Sequence, residues 1–204
     1  MARPPGAISA YFTTGDNSYG SRPAIGMWAF LAGDGAMFVV LLLGYVAMRT
    51  TTPAWPDPSA VLNRPLAIIM TVALFGGSLA LVKALAAVRS DRQSALRVYL
   101  ATAVVCGLIF LILQYYEWSH LGQMGVRVAE HPFGASQFSG LFYIITGFHG
   151  GHVAVGVLYL VFVLSRSFRG EGPSEQFYGI LLGGMYWHFL DLLWVMIFST
   201  MYIV

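Results

Sequence analysis

Five long apolar runs constrain what this chain can fold into. They lie at about residues 25–48, 66–88, 96–116, 140–164 and 177–204. A helix needs about 20 apolar residues to cross the hydrocarbon core of a bilayer, and each run is long enough. The chain is 57% hydrophobic and 10% charged, whereas soluble chains carry roughly 25% charged residues. A water-soluble fold is therefore excluded, and the runs predict five membrane spans.

The spans are predicted to be helices. Backbone groups in lipid must satisfy their own hydrogen bonds, which leaves helices or a closed barrel. The runs are far too long for barrel strands and do not alternate between apolar and polar residues. We therefore expect an all-α polytopic membrane protein whose membrane domain covers residues 25–204.

The polar segment 1–24 contains Pro4, Pro5 and Pro23 and has no apolar core. It is therefore not expected to be a cleaved signal peptide, and the first span is predicted to act as the targeting signal.

The arginines of the loops predict the orientation. Basic residues accumulate on the cytoplasmic side of membrane proteins. The N-terminal segment and the loops after the second and fourth spans hold seven arginines, and the opposite side holds three. The seven are Arg3, Arg22, Arg89, Arg92, Arg97, Arg166 and Arg169, and the three are Arg49, Arg64 and Arg127. The N-terminal segment 1–24 is therefore predicted to be cytoplasmic and the C-terminus to lie outside.

Charge and cysteine content exclude several functions. The net charge of +2 is too small for a nucleic-acid-binding protein, and the basic residues form no cluster. The single cysteine, Cys106, lies inside an apolar run, which excludes a cysteine-based metal site or haem attachment.

Ionisable residues inside the runs are expensive in a bilayer and therefore point to specific interactions. Asp34 lies nine residues into the first run, about 13 Å deep at 1.5 Å per residue. It must be either protonated and hydrogen-bonded or paired with another helix. Three further pairs have i, i+3 spacing, and they are Glu117 with His120, His149 with His152, and His188 with Asp191.

Three interpretations of these groups are open on the residues alone. Helical bundles can hold a di-iron centre with paired Glu-x-x-His motifs and two further glutamates, but this chain has one such motif and no further glutamate within a span. A proton pathway would need a chain of proton-exchanging groups, and Asp34 alone is not such a chain. The favoured interpretation is a polar clamp, in which these residues hydrogen-bond one another across helices and fix the packing.

Two pairs of glycines predict close helix packing. Gly147 with Gly151 and Gly179 with Gly183 form small-xxx-small patterns, which allow helices to approach closely in membranes.

Two long motifs resemble subunit III of haem–copper terminal oxidases. Residues 142–153, Phe-Tyr-Ile-Ile-Thr-Gly-Phe-His-Gly-Gly-His-Val, resemble the family segment Thr-Gly-Phe-His-Gly-x-His-Val. Residues 186–194 resemble its final-helix motif Tyr-Trp-His-Phe-x-Asp-x-x-Trp. The first span is similar as well, although it has Gly33-Asp34 where the family has Ser-Glu, and the polar end at residues 114–117 also matches. With five spans rather than seven, the chain looks like the short bacterial form.

The resemblance implies a non-catalytic core subunit of a proton-pumping oxidase of the cytochrome c oxidase type in aerobic respiration, multi-pass in the bacterial inner membrane. Such a subunit has no catalytic residue and no metal ligand. It packs on the catalytic subunit I, with subunit II and small subunits, which carry the haem and copper. It holds phospholipid in a cleft between two helix bundles and supports proton uptake. Asp34 would then be a proton-uptake or structural acid, and the other six ionisable residues an interhelical polar network: Glu117, His120, His149, His152, His188 and Asp191.

Two other functions fit the sequence less well. One is an accessory subunit of a quinol oxidase or of a nitric-oxide-reducing system. The other is a stand-alone intramembrane metalloenzyme. The Thr-Gly-Phe-His-Gly run looks more like the cytochrome c branch of the oxidases.

Overall fold

A computed structural model describes residues 18–130, 132, 134–169 and 173–203. The described chain is helical: α1 covers Ser18–Thr51, α2 Pro58–Val61, α3 Arg64–Arg89, α4 Gln93–Gln123, α5 Ser136–Phe168 and α6 Pro173–Phe198, and a π-helical turn follows at Ser199–Ile203. All of these except the short α2 and the π turn are long and apolar enough to cross a membrane. The predicted five-span, all-α architecture is confirmed. Most of the predicted segment 1–24 lies outside the described residues.

The first four membrane helices, α1, α3, α4 and α5, are longer than the apolar runs that predicted them. The third span was predicted to end at residue 116, but α4 continues to Gln123. The fourth was predicted at 140–164, but α5 covers Ser136–Phe168. The apolar run marks only the part of a helix that lies in hydrocarbon, whereas backbone hydrogen bonding continues into the polar flanks.

Helices α3, α4, α5 and α6 form a ring in which each packs against two of the others. Helix α1 packs outside this ring, against α5 and α6. Consecutive spans run antiparallel. At one end of the bundle, the Arg97 guanidinium near the start of α4 donates to the Ser167 carbonyl at the end of α5, at 2.9 Å. At the opposite end, Arg64 at the start of α3 contacts the C-terminal turn.

The centre of the ring is filled by the fully buried indole of Trp187. Glycines from three helices surround it, because a Cβ atom would meet the indole at 3.1 Å from Gly77, 2.6 Å from Gly107 and 3.5 Å from Gly156. The indole Nε1 donates to the carbonyl of Leu74 at 3.3 Å. The ring of helices is therefore built around one large side chain of α6.

The predicted glycine pairs have a mixed outcome. A Cβ at Gly183 would lie 2.9 Å from the Tyr159 ring, and one at Gly147 would lie 3.4 Å from the Trp118 ring. At Gly179 the nearest atom would be a Val163 methyl at 3.6 Å, and Gly151 has nothing within 4 Å. The prediction of a close approach at Gly151 is wrong, because this glycine faces outward from the bundle.

Two loops close the end of the bundle where α1 finishes. The amide of Ala135 donates to the carbonyl of Ala54 at 3.2 Å, and the Trp55 ring packs edge-on against Tyr45. In the first of these loops, the Asp57 carboxylate accepts the amide hydrogen of Ser59 at 2.8 Å and caps α2. This hydrogen bond lowers the pKa of Asp57, which lies outside the membrane spans.

Candidate functional site

Five of the seven ionisable residues predicted for the site, all except His120 and His149, fall into three separate clusters. Each cluster joins two helices, and none of the three shares a residue with another. We name them the Asp34–His152 pair, the Glu117–Tyr202 pair and the Ser78–His188–Asp191 cluster.

The Asp34–His152 pair joins α1 to α5. The Asp34 Oδ1 lies 3.1 Å from the His152 Nε2, and the side chains are 8% and 22% exposed. Asp34 is therefore paired with another helix, which is one of the two alternatives that its isolation within the first span left open. The ring of Phe38 packs edge-on against the imidazole, at 5.5 Å between centroids.

Hydrogen bonding limits how many protons this pair can hold. The His152 Nδ1 is 2.6 Å from the carbonyl oxygen of Phe148. A carbonyl can only accept, so Nδ1 carries a hydrogen. The remaining nitrogen, Nε2, can therefore bond the carboxyl group only through a single shared proton. With that proton the pair is neutral overall, whichever partner holds it, and this lowers the cost of placing it in a membrane.

The second carboxyl oxygen of Asp34, Oδ2, is buried and has no hydrogen-bond partner among the residues that the structure describes. On the other side of the pair, the hydroxyl of Tyr186 donates to the backbone carbonyl of His152 at 3.0 Å. The pair is thus held against α6 and keeps one acceptor atom unused.

His149 is fully buried and separate from this pair. Its ring is stacked on Trp194 at 5.4 Å and lies edge-on to Phe110 at 5.5 Å. Neither ring nitrogen has a hydrogen-bond partner in the described part of the chain. Both imidazoles lie edge-on to Phe38 of α1, but only His152 reaches Asp34. The structure therefore does not bring the two histidines to one ligand position.

The Glu117–Tyr202 pair joins the end of α4 to the C-terminal turn. The Tyr202 hydroxyl donates to the Glu117 Oε2 at 2.6 Å, and both residues are buried. The backbone carbonyl of Tyr202 accepts a hydrogen bond from the Arg64 Nε at 2.7 Å. His120 is exposed and takes no part in this pair.

The Ser78–His188–Asp191 cluster joins α3 to α6. The Ser78 hydroxyl is hydrogen-bonded to the His188 Nδ1, and the Asp191 Oδ2 lies 3.9 Å from the same nitrogen. The His188 side chain is 49% exposed and that of Asp191 is 10% exposed. Of the three clusters, this one reaches furthest onto the surface of the bundle.

The arrangement provides contacts between helices and a position for a shared proton. Within the described ranges, no three His, Cys, Asp or Glu side chains come close enough together to hold a metal ion. The i, i+3 pairs Glu117 with His120 and His149 with His152 turn toward different neighbours, so their spacing does not create ligand pairs.

Sequence reasoning missed Ser78, Arg64 and Tyr202 as members of these clusters. Ser78 is a hydroxyl residue in the middle of an apolar run, and this position was the available signal. Arg64 and Tyr202 lie at the ends of their spans, where polar and aromatic residues are common, so nothing in the sequence distinguished them.

Comparison with known proteins agrees with these features. The family model described as "Cytochrome c oxidase subunit III" matches residues 24–204. Cytochrome c oxidase subunit 3 of Alkalihalophilus pseudofirmus is 32% identical over 190 residues, covering 90% of this chain and 87% of the relative. The protein of the same name from Synechocystis sp. is 31% identical over 202 residues, covering 96% and 83%.

A protein named probable quinol oxidase subunit 3, from Staphylococcus saprophyticus, is 27% identical over 193 residues, which cover 91% of this chain and 90% of the relative. The family match spans all five membrane helices and every cluster described above. The chain therefore belongs to the cytochrome c oxidase subunit III family, as a multi-pass bacterial membrane protein and a non-catalytic subunit of a haem–copper oxidase.

Proposed function

We propose that this chain packs on the catalytic subunit I of the oxidase, beside subunit II and small subunits, and supports proton uptake during turnover through the Asp34–His152 pair. The haem and copper lie in the partner subunits, phospholipid binds to this chain, and its N-terminus is cytoplasmic. The observation that carries the proposal is the 3.1 Å contact between the Asp34 Oδ1 and the His152 Nε2 inside the membrane, with the other ring nitrogen bonded to the Phe148 carbonyl.

The geometry of the pair suits reversible protonation. Its Asp34 Oδ1 and His152 Nε2 lie 3.1 Å apart, which is short enough for one proton to bridge them. The unused Oδ2 of Asp34 offers an acceptor to a proton donor outside the pair. Asp34 has one methylene fewer than the glutamate common in the family, yet its carboxyl group reaches His152. The shorter acid is therefore compatible with the same partner.

An apolar groove next to the pair supports lipid binding. It has a volume of about 180 Å³ between α1, α5 and α6. The hydroxyls of its two tyrosines are used internally, since Tyr186 bonds the His152 carbonyl and Tyr159 bonds the Gly179 carbonyl. The groove therefore presents carbon atoms, which suits part of an acyl chain. Its lining is Met27, Phe30, Val155, Tyr159, Leu182, Gly183 and Tyr186.

The five described spans form one bundle, so the expected cleft between two bundles has no counterpart among them. The groove lies instead between α1 and the ring of four helices. Because Tyr186 belongs to both the groove and the environment of His152, lipid bound there would also shield the Asp34–His152 pair from water.

The test is the substitution Asp34→Asn in the complete oxidase, purified through a tag on this chain. We expect an intact complex with unchanged haem absorbance, a few-fold shorter activity lifetime during turnover, and slower proton uptake, because an amide cannot exchange the shared proton. Asp34→Glu should retain the wild-type behaviour. Asp57→Asn, at an exposed acid outside the spans, is the matched control.

An Asp34→Asn complex with the lifetime and the pumping of the wild type would refute the role of the pair. Absence of any haem-containing partner in the wild-type purification would refute the proposed assembly itself.

A second candidate is a subunit of a quinol oxidase, favoured by the relative that is named as such. The same purified complex distinguishes the two candidates. Oxygen consumption with reduced cytochrome c as donor supports the first candidate, and consumption with quinol alone supports the second.

A further inference from the structure

The Ser78–His188–Asp191 cluster places an exposed polar side chain at mid-depth of the membrane spans. Ser78 lies near the middle of α3, and His188 lies near the middle of α6. Half of the His188 side chain is exposed, whereas Glu117 and Asp34 are covered by neighbouring helices. At this depth an exposed imidazole faces either lipid tails or a helix of another protein.

The cluster lies in a sector of α6 that no described helix covers. Neighbouring faces of α6 are occupied: Trp194 bonds Thr71 of α3 at 2.9 Å, and the Phe189 ring lies 3.4 Å from a Cβ built on Gly35 of α1. His188 and Leu192 lie between these two faces, and Leu192 is 59% exposed. This exposed strip of α6 therefore runs between the contacts that α6 makes with α3 and those that it makes with α1. We name it the α6 channel.

The His188 imidazole in this channel has one ring nitrogen without a hydrogen-bond partner in the described part of the chain. Both polar contacts that its ring makes with Ser78 and Asp191 involve Nδ1, which leaves Nε2 for another partner. Lipid tails offer neither donors nor acceptors. A hydrogen bond between membrane helices contributes about 0.6–2 kcal/mol. A protein helix can therefore satisfy this atom, and an acyl chain cannot.

The rest of the α6 channel is apolar. Leu192 and Val195 lie on the same face as His188, one and two turns further along α6. A complementary partner would have small or aliphatic residues against these two side chains and one hydrogen-bonding group opposite His188. The exposed strip belongs to one helix, α6, which suits contact with a single membrane-spanning helix.

We infer that the α6 channel is the docking face for a membrane-spanning helix of another oxidase subunit, with a hydrogen bond from that helix to the Nε2 of His188. The inference rests on the proposed assembly into an oxidase complex and adds the surface by which this chain joins it.

The first test is photo-cross-linking in native membranes. The photoreactive amino acid p-benzoyl-phenylalanine replaces Leu192 in the α6 channel or, as control, Leu158, which is exposed on α5 away from the channel. We expect a cross-link from position 192 to an oxidase subunit identified by mass spectrometry, and none from position 158. A cross-link from 192 only to lipid or to a second copy of this chain overturns the inference, as does an oxidase cross-link from 158 alone.

The second test measures how well the complex survives detergent purification. His188→Leu should reduce the partner retained per tagged chain roughly five- to thirtyfold, the change that corresponds to 1–2 kcal/mol. His188→Gln, which keeps a donor and an acceptor, should restore part of it. Leu158→Ala should change nothing. Quantifying the tagged chain in the membrane before extraction corrects for any loss of folded protein.

The outcomes separate the inference from the proposed function. If the wild-type chain purifies with a haem-containing partner but His188→Leu retains it fully, the docking face is wrong and the assembly stands. If the wild-type chain purifies without any such partner, both the assembly and the docking face are refuted.

Discussion

Trp187 shows how one side chain organises the packing of this bundle. Its indole is fully buried and contacts positions on α3, α4 and α5 that are all glycine. In a membrane, helices are held together by packing and hydrogen bonds, because lipid is as apolar as the side chains. The Trp187 ring, packed against the three glycines, provides such packing. Its Nε1 also donates a hydrogen bond to the Leu74 carbonyl.

Gly107 is the most constrained of these glycines. A Cβ there would lie 2.5 Å from a methyl of Val157 and 2.6 Å from the Trp187 ring. We expect Gly107→Ala to destabilise the protein by about 1–3 kcal/mol, the usual cost of overpacking a core. Thermal unfolding in detergent measures this. Gly44→Ala, with nothing within 4 Å, is the control and should be neutral or slightly stabilising. Equal unfolding midpoints for the two variants would contradict the prediction.

At the scale of elements, the π-helical turn at the C-terminus depends on its contacts with other helices. The last carbonyls of a helix have no partner within the helix itself, and Arg64 supplies one by donating to the Tyr202 carbonyl. The Tyr202 hydroxyl bonds Glu117 at 2.6 Å, and its ring packs against Phe142 and Phe198. Residues from α3, α4 and α5 therefore hold this turn in place.

Tyr202→Phe tests this attachment while keeping the ring. The substitution removes the donor to Glu117 in a buried position, so we expect a loss of about 0.6–2 kcal/mol in stability. We also expect faster proteolysis at the C-terminus. Tyr115→Phe, on the exposed side of α4, is the matched control and should behave as the wild type. Unchanged stability and proteolysis in Tyr202→Phe would show that ring packing alone holds the turn.

At the scale of the whole molecule, the bundle has two ends with different charge. The end that contains the α3–α4 loop and the end of α5 includes six described arginines, whereas the opposite end includes three. The two sets are Arg22, Arg89, Arg92, Arg97, Arg166 and Arg169 at the first end and Arg49, Arg64 and Arg127 at the second. The cytoplasmic side of a membrane protein is richer in basic residues. This asymmetry supports the proposed cytoplasmic position of the N-terminus.

Cysteine labelling in cells tests the orientation. In a Cys106→Ala background, we expect Ser90→Cys to react with a membrane-impermeant maleimide only in inverted vesicles. Val128→Cys, in the loop at the opposite end, should react on intact spheroplasts. Both positions are exposed in loops, so each serves as the accessibility control for the other. The reverse pattern would show that the N-terminus is outside.

Much of the fold could be predicted because its cause is local. Each apolar run is long enough to cross a bilayer, and backbone groups in lipid must bond within their own helix. The number of spans and the helical class therefore follow from the sequence, and the motifs at residues 142–153 and 186–194 indicate the family. The ends of the helices do not follow, because α4 and α5 continue beyond their apolar runs.

The sequence by itself thus determined five membrane helices, the oxidase family and the list of ionisable residues within the spans. Only the tertiary structure decided their partners: Asp34 meets His152, Glu117 turns inward while His120 turns out, and His188 remains exposed. The physical reason is that helices surrounded by lipid are apolar on every face, so the periodicity that orients a helix in a soluble protein is absent. Rotation and pairing are decided by packing between helices, here around Trp187 and its glycines.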